Sequence, residues 1–458
     1  MDPPPSRSFP HFTDSRALTI VWAMALLMLA GYALRVAIGR TTHGFIAYYA
    51  ASRLFMTGDL GPWVYEDSWF IRYVQDITGS RVLEIFGPNA PTMALLALPV
   101  ALLGPSGARG LWLAASLVGV ALASAALVRH GIRRDERVPP VFVALMLLGP
   151  VVFANLRTGQ AYLLVFATLT AAALCLVRDQ DVRAGVLIGL ALMLKSSGLP
   201  LLLLLIARRR ARPVAAAVLV YVAGAALLMP WVGLGTWMRY RAYVWHFVQR
   251  PSASVTAYQT TRGLFRHLFI GGPDWSRAAD CAAVATVVPG VLIAIAVVIT
   301  VCVTFRARTE LWIAAGVCLS VLAMPIAEEH HFALLGIPMM FVLQARARAA
   351  RAEGAPSWWP WLVLAVLLVV PLEYTAYRYA AGWSALAAYP RLYAAWLLWG
   401  LTIAEMLRDR EPPEGHEPMG TLNEASGRGW RAIRSTFLGE GRSLVRWSHR
   451  RPRLRPIA

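Results

Sequence analysis

Residues 184–206 read AGVLIGLALMLKSSGLPLLLLLI: two apolar runs, 184–194 and 199–206, flank Lys195-Ser196-Ser197. Crossing about 30 Å of hydrocarbon takes roughly 20 helical residues, and neither run is that long. An ammonium at membrane depth is costly unless it pairs or lines a wet cavity. The stretch therefore predicts two half-helices meeting around Lys195, a break tolerated only where it lines a cavity. Among 44 Lys and Arg residues, Lys195 is the one lysine. Such isolation favours a specific task for the ammonium, such as a point contact to phosphate.

The rest of the chain has the same character. Of 458 residues, 58% are hydrophobic and only 15% are charged, and mean hydropathy is +0.54. Soluble domains carry about a quarter charged residues. Further apolar runs lie at 18–38, 90–104, 110–128, 139–156, 161–177, 212–232, 282–304, 311–324, 332–344, 358–374 and 392–406. They predict an all-α polytopic transmembrane protein of about 11–13 membrane helices, half-helices included. A polar lead over 1–16 precedes the membrane domain, 17–407, and a basic tail, 408–458, follows it. Long loops are expected at 39–88 and 233–280. In the first, Phe45, Tyr48, Tyr49, Phe55 and Met56 fall at helical spacing, which suggests an amphipathic helix in the membrane interface.

Charge sets the expected sides. Arginines cluster at 129–137, 178–183, 208–212, 306–308, 346–351 and in the tail. The positive-inside bias makes these loops and both termini cytoplasmic, in a plasma-membrane protein. Alternation then puts the polar breaks on the opposite face: Arg157 to Gln160, Lys195 to Ser197, Tyr258 to Thr260, and Glu328 to His331. Their convergence on one face suggests one site. A conflict sits at 90–128. If both runs there crossed, Arg129 to Arg137 would lie outside, so either the first run does not cross or that basic loop is an exception.

The net charge of +19 lies in short loops and a tail, so no nucleic-acid partner is expected. Tail arginines interleaved with Trp430, Phe437, Leu444 and Trp447 point instead to anionic lipid headgroups. Cys175, Cys281, Cys302 and Cys318 sit in or beside apolar runs without CxxC spacing, as small buried hydrophobes. Adjacent His330 and His331 should face different sides of a helix, which disfavours a shared metal, and no cofactor is expected. Broken helices with midplane charge also mark transporters or lipid carriers. Against that alternative stand the absence of an internal repeat and the long first loop.

The motifs have a characteristic order. Phe45-x-x-Tyr48-Tyr49-x-Ala51-x-Arg53 comes first, then Gly87-Pro88-Asn89, Gly159-Gln160 and Gly185-x-x-x-Gly189-x-x-x-x-x-Lys195. Tyr258-Gln259-Thr260-x-Arg262-Gly263 and Pro325-Ile326-x-Glu328-Glu329-His330-His331 follow. Over roughly Leu18 to Arg351 the chain resembles the GT-C superfamily of integral-membrane glycosyltransferases, specifically the family 87 type that includes polyprenyl-phosphate-mannose-dependent mannosyltransferases. The resemblance implies a GT-C-like fold. It also implies transfer of a hexose, mannose among the candidates, from a polyprenyl-phosphate donor to a lipid or glycan acceptor on the non-cytoplasmic face.

The family's Gly-Gln, lysine and acidic-His-His motifs match Gly159-Gln160, Lys195 and Glu329-His330-His331. Its Asn-Gln-Ser loop corresponds to Tyr258-Gln259-Thr260. The donor-phosphate and substrate-binding candidates are Arg157, Gln160, Lys195, Gln259, Arg262, His330 and His331. One departure matters for activity. Family members place a catalytic Asp directly before the Phe of the first-loop helix, and here that position is Gly44, preceded by His43. Candidate bases in its place are His43, Asp59 and Glu329, and a non-catalytic relative is the remaining alternative.

Overall fold

The computed structural model describes residues 15–37, 43–134, 136, 138–249, 256–272, 275–353, 359–370 and 381–409. The polar lead up to residue 14 and the tail from residue 410, with its expected lipid contact, lie outside the described residues. Among the described residues the fold is all-α, with isolated bridges but no strand.

Helix α1 (Ser15–Ala37) is followed by the first-loop helices α2 (Phe45–Thr57) and α3 (Asp67–Thr78), then short α4 (Thr92–Leu96) and α5 (Leu98–Ala101). Next come α6 (Pro105–Arg133), α7 (Pro140–Leu148), α8 (Pro150–Thr158), α9 (Tyr162–Val177), α10 (Asp181–Leu194) and α11 (Leu199–Ala207). The chain continues through α12 (Ala211–Gln249), α13 (Thr261–Phe269), α14 (Ala282–Thr304), α15 (Thr309–Leu322), α16 (Gly336–Glu353), α17 (Trp359–Val369) and α18 (Pro390–Arg408).

Six of these stretches are long and apolar enough to cross a membrane: Arg16–Val36, Pro105–Arg133, Pro140–Thr158, Ala211–Gln249, Ala282–Thr304 and Glu329–Ala350. Shorter apolar helices such as Tyr162–Val177 and Thr309–Leu322 complete the bundle. On α14 the exposed residues Val287, Val291, Ile295 and Val298 repeat at helical spacing. An apolar stripe of that kind facing outward is the surface lipid covers. At the centre stands α15, buried at every residue from Glu310 to Leu322 and packed on α11, α16 and α18.

The lysine break forms as its run lengths require. Helix α10 stops at Leu194, Lys195 is extended (φ −156°, ψ 146°), and a single 3-10 turn over Ser196–Gly198 leads into α11. Gly185 and Gly189 let α10 lie close against α12. A Cβ at these positions would sit 2.4 Å from the Pro213 carbonyl oxygen and 2.7 Å from the Val220 Cβ. Small residues at a helix contact permit such backbone approach in a membrane.

The conflict at 90–128 also resolves. The run at 90–104 divides into α4 and α5, of five and four residues. At about 1.5 Å per residue neither reaches half the bilayer core. Only α6 spans, and its end places Arg134 beside Glu310 at the foot of α15. Arg348 meets Glu136 at 2.6 Å and Asp409 at 2.7 Å, and Arg308 lies 3.5 Å from Asp409. Basic segments far apart in sequence therefore gather at one end of the bundle.

The two long loops are more structured than their composition suggests. Helix α2 lies where the Phe45–Met56 spacing puts it, and protein covers nearly its whole circumference, Phe45 through Ser52. In the second loop, α12 continues past a kink at Gly233 (φ 67°, ψ 161°) to Gln249, and α13 follows. Glycine tolerates the left-handed φ at this kink without steric cost.

Candidate active site

A cavity of about 510 Å³ opens where the polar breaks meet. Its lining includes Lys195, Gln160, His330 and His331, four of the seven residues expected to bind substrate. The chain brings them in from separate breaks. Gln160 follows the C-terminus of α8, where Gly159 takes the left-handed conformation (φ 65°) that ends a helix. Trp112 Nε1 donates to the Gly159 carbonyl at 2.8 Å, and the buried Tyr48 hydroxyl donates to Gln160 Oε1. The first-loop helix is thereby tied to the Gly-Gln break.

Lys195 is held by a turn at the end of the first loop. Its Nζ donates to Asn89 Oδ1 at 2.5 Å and lies over the rings of Tyr48 and Tyr162, 5.1 and 5.6 Å from their centroids. Cation–π contacts of this kind favour the charged ammonium. The Asn89 turn is anchored in its own right, because Tyr65 donates its hydroxyl to the Asn89 carbonyl at 3.0 Å. The neighbouring Gly87 is required, since a Cβ there would lie 1.9 Å from the Tyr243 ring. Thr92 then donates to the Met193 carbonyl at 2.9 Å, fixing α4 to the end of α10. Among the described residues that line the cavity, Lys195 is the only lysine or arginine.

The two histidines do not diverge as adjacent helical residues were expected to. Their rings stack, with centroids 4.3 Å apart, and Tyr162 packs on His331 at 4.1 Å. The cause is local: the Glu328 N–H donates to His331 Nδ1 at 3.1 Å, turning that ring back toward the start of its 3-10 helix. The same Nδ1 lies 3.2 Å from the Glu328 carbonyl, so the backbone of one residue holds this nitrogen. Asn155 Nδ2 donates to the His330 carbonyl at 2.8 Å and locks the segment to α8. No group of three His, Cys, Asp or Glu residues suited to a metal occurs among the described residues.

The remaining expected residues lie outside the cavity lining. Gln259 is a strut. Its side-chain amide donates to the carbonyls of Thr256 and Ala388, and its Oε1 accepts the Arg391 N–H at 3.2 Å. Arg157 is exposed and Arg262 sits on α13. Of the candidate bases, Glu329 turns away and pairs with the fully buried Arg391 at 2.7 Å. Asp59 closes the end of α2, its N–H bonded to the Leu54 carbonyl. His43 stands at the rim, its Nδ1 3.6 Å from Glu84 Oε2. The neighbouring Glu84 carboxylate raises the His43 pKa above the ordinary imidazole value, and burial opposes the rise only in part.

The cavity is thus an apolar-walled chamber with one cation, two carboxylates (Glu84 and Glu328) and paired imidazoles at its polar end. The model of glycosyltransferase family 87 matches residues 88–325, more than half of the chain, and covers the Asn89 turn, the Gly-Gln break and the lysine. The chain belongs to glycosyltransferase family 87. It is a multi-pass membrane glycosyltransferase. No curated protein and no solved structure matches the chain significantly.

Sequence reasoning missed three residues of this cavity. Glu84 had appeared only as one acid among several in the first loop. Asn89 belonged to a motif without an assigned partner. Tyr162, a buried apolar-run residue, is the platform on which Lys195 and His331 both rest. The available signal was the polar Gly-Pro-Asn turn immediately before an apolar run, a place where an anchored side chain can reach a neighbouring helix end.

Proposed function

We propose that this glycosyltransferase moves a hexose, mannose as first candidate, from a polyprenyl-phosphate donor to a lipid or glycan acceptor on the non-cytoplasmic face of the plasma membrane. The observation that carries this reading is the Lys195 ammonium, held at a helix break by a neutral amide and two aromatic faces. An amide orients a cation without neutralising it, so the charge stays available to a phosphate leaving group. Next to it the cavity wall is apolar: Leu199 and Leu202 on α11, Val218 and Val222 on α12, and Val244 and Phe247 beyond the Gly233 kink. Leu199, Val218 and Val222 are exposed as well as lining the cavity. An apolar wall of this kind suits a polyprenyl tail.

The helix order supports this sidedness. If α4 and α5 do not cross and α10 and α11 return to the side they start from, the arginine clusters share one side, taken as cytoplasmic by the positive-inside bias. The shared cavity of Gln160, Lys195 and His330 fits a common opposite side.

Purified protein given radiolabelled polyprenyl-phosphate mannose and native membranes as acceptor source should produce labelled product. Lys195→Ala and His331→Ala should lower the yield by at least about 100-fold and 10-fold with expression intact. Uptake into proteoliposomes without covalent transfer would instead establish a carrier.

A further inference from the structure

The position before the first-loop helix is strained for any side chain in this fold. Gly44 has φ +86°, and a Cβ there would lie 2.7 Å from Gln160 Nε2 and 2.9 Å from the Thr158 carbonyl oxygen. A carboxylate nonetheless reaches the same point from 40 residues away. Glu84 Oε2 accepts the Gly44 N–H, and its Oε1 accepts the Ile85 N–H at 3.1 Å. Its side chain is only 12% exposed, against 65% for His43 beside it. Of the two carboxylates on the cavity lining, Glu328 belongs to the histidine segment, its Oε2 3.6 Å from His330 Nδ1. Glu84 belongs to the first loop and bonds to Gly44, which also lines the cavity.

We propose that Glu84 is the catalytic base of the transfer, oriented by the Gly44 N–H and relayed to water by His43. The proposal rests on the cavity being the transfer site. In the step, Glu84 Oε2 takes the proton of the acceptor hydroxyl as the acceptor oxygen bonds to the anomeric carbon. The bond from that carbon to the phosphate oxygen breaks, and its electron pair leaves on the lipid phosphate beside Lys195. The leaving phosphate needs no proton. Glu84 then passes its proton through the exposed His43 ring to water, so one acceptor hydroxyl and one donor yield one glycoside, one lipid phosphate and one proton. Gly44 suits the site, because a side chain there would crowd Gln160 and the Thr158 carbonyl.

The test compares Glu84→Gln, Glu84→Asp and Glu328→Gln with the unaltered chain in membranes that supply the acceptor, with radiolabelled polyprenyl-phosphate mannose as donor. Retention of the donor on purified protein is measured in parallel. Glu84→Gln should lose about 100-fold or more of transfer while retaining donor within about two-fold, as removal of a general base requires. Glu84→Asp should recover part of the rate, and Glu328→Gln should lose less than Glu84→Gln. Transfer by Glu84→Gln within about three-fold of the unaltered chain overturns the proposal. A loss of transfer matched by an equal loss of donor retention also overturns it, making Glu84 a binding residue. If the unaltered chain retains the donor but transfers nothing, both this assignment and the proposed function fall.

Discussion

Lys195 and Arg391 are both cations inside the helical bundle, and the protein holds them in opposite ways. Arg391 is fully buried, and its guanidinium donates to Glu329 and to the Leu367 and Val370 carbonyls. Lys195 has a neutral amide and two ring faces, and it lines a cavity. A charge matched by a carboxylate and carbonyls belongs to the frame. One that is oriented but not neutralised is kept for a ligand. The short segment Glu329-His330-His331 divides along the same boundary, with its carboxylate on the frame and its imidazoles in the cavity.

This contrast can be broken by substitution. Arg391→Ala should have the largest effect, because it leaves Glu329 buried without its partner. About 3–5 kcal/mol of stability should be lost, seen as a collapse of folded yield in detergent, and Glu329→Gln in the same chain should restore part of it. Normal yield and transfer in Arg391→Ala would show that the pair is not structural.

Gly44→Asp sharpens the comparison from the site side. An aspartate at this position should not improve this enzyme, because the new side chain meets Gln160 and the Thr158 carbonyl at a left-handed backbone. Such strain costs about 1–3 kcal/mol, so thermal stability should fall and transfer should drop; a gain in transfer would contradict the packing described.

The smallest effect concerns His43. Its pKa is raised chiefly by the neighbouring Glu84 carboxylate, with a further electrostatic contribution from Glu328. The ring is then charged below the ordinary imidazole range, and the charged contact is lost as pH rises through the raised value. Titration of the His43 ring by NMR should give a midpoint above that of a free imidazole, moving down in Glu84→Gln. An unchanged midpoint in that variant would separate the two residues.

Much of the fold was legible because the bilayer imposes a length rule. The short runs around Lys195 could not each span, and the half-helices follow from that alone. The division of 90–104 was less visible, since a run of suitable length and hydropathy hides the chain reversal at α4 and α5. In the second loop, composition suggested irregular chain, but Gly233 lets α12 bend and continue as a helix. For the site, Gln160, Lys195 and the histidines announced themselves as polar groups within apolar runs. Gln259 and Glu329 gave the same signal, yet they are frame, because a buried polar side chain looks alike in sequence whether it meets Arg391 or a cavity. Glu84 could not be found that way, since nothing in the linear order connects residue 84 with residue 44.

The central claim is that the Lys195 ammonium receives a lipid phosphate, and equilibrium binding of polyprenyl phosphate to purified protein tests it most directly. Lys195→Ala should weaken binding by about 100-fold, the scale of a lost buried charge-assisted contact, while Arg262→Ala, outside the cavity, should bind within about two-fold of the unaltered chain. Equal affinity of Lys195→Ala and the unaltered protein would contradict the account.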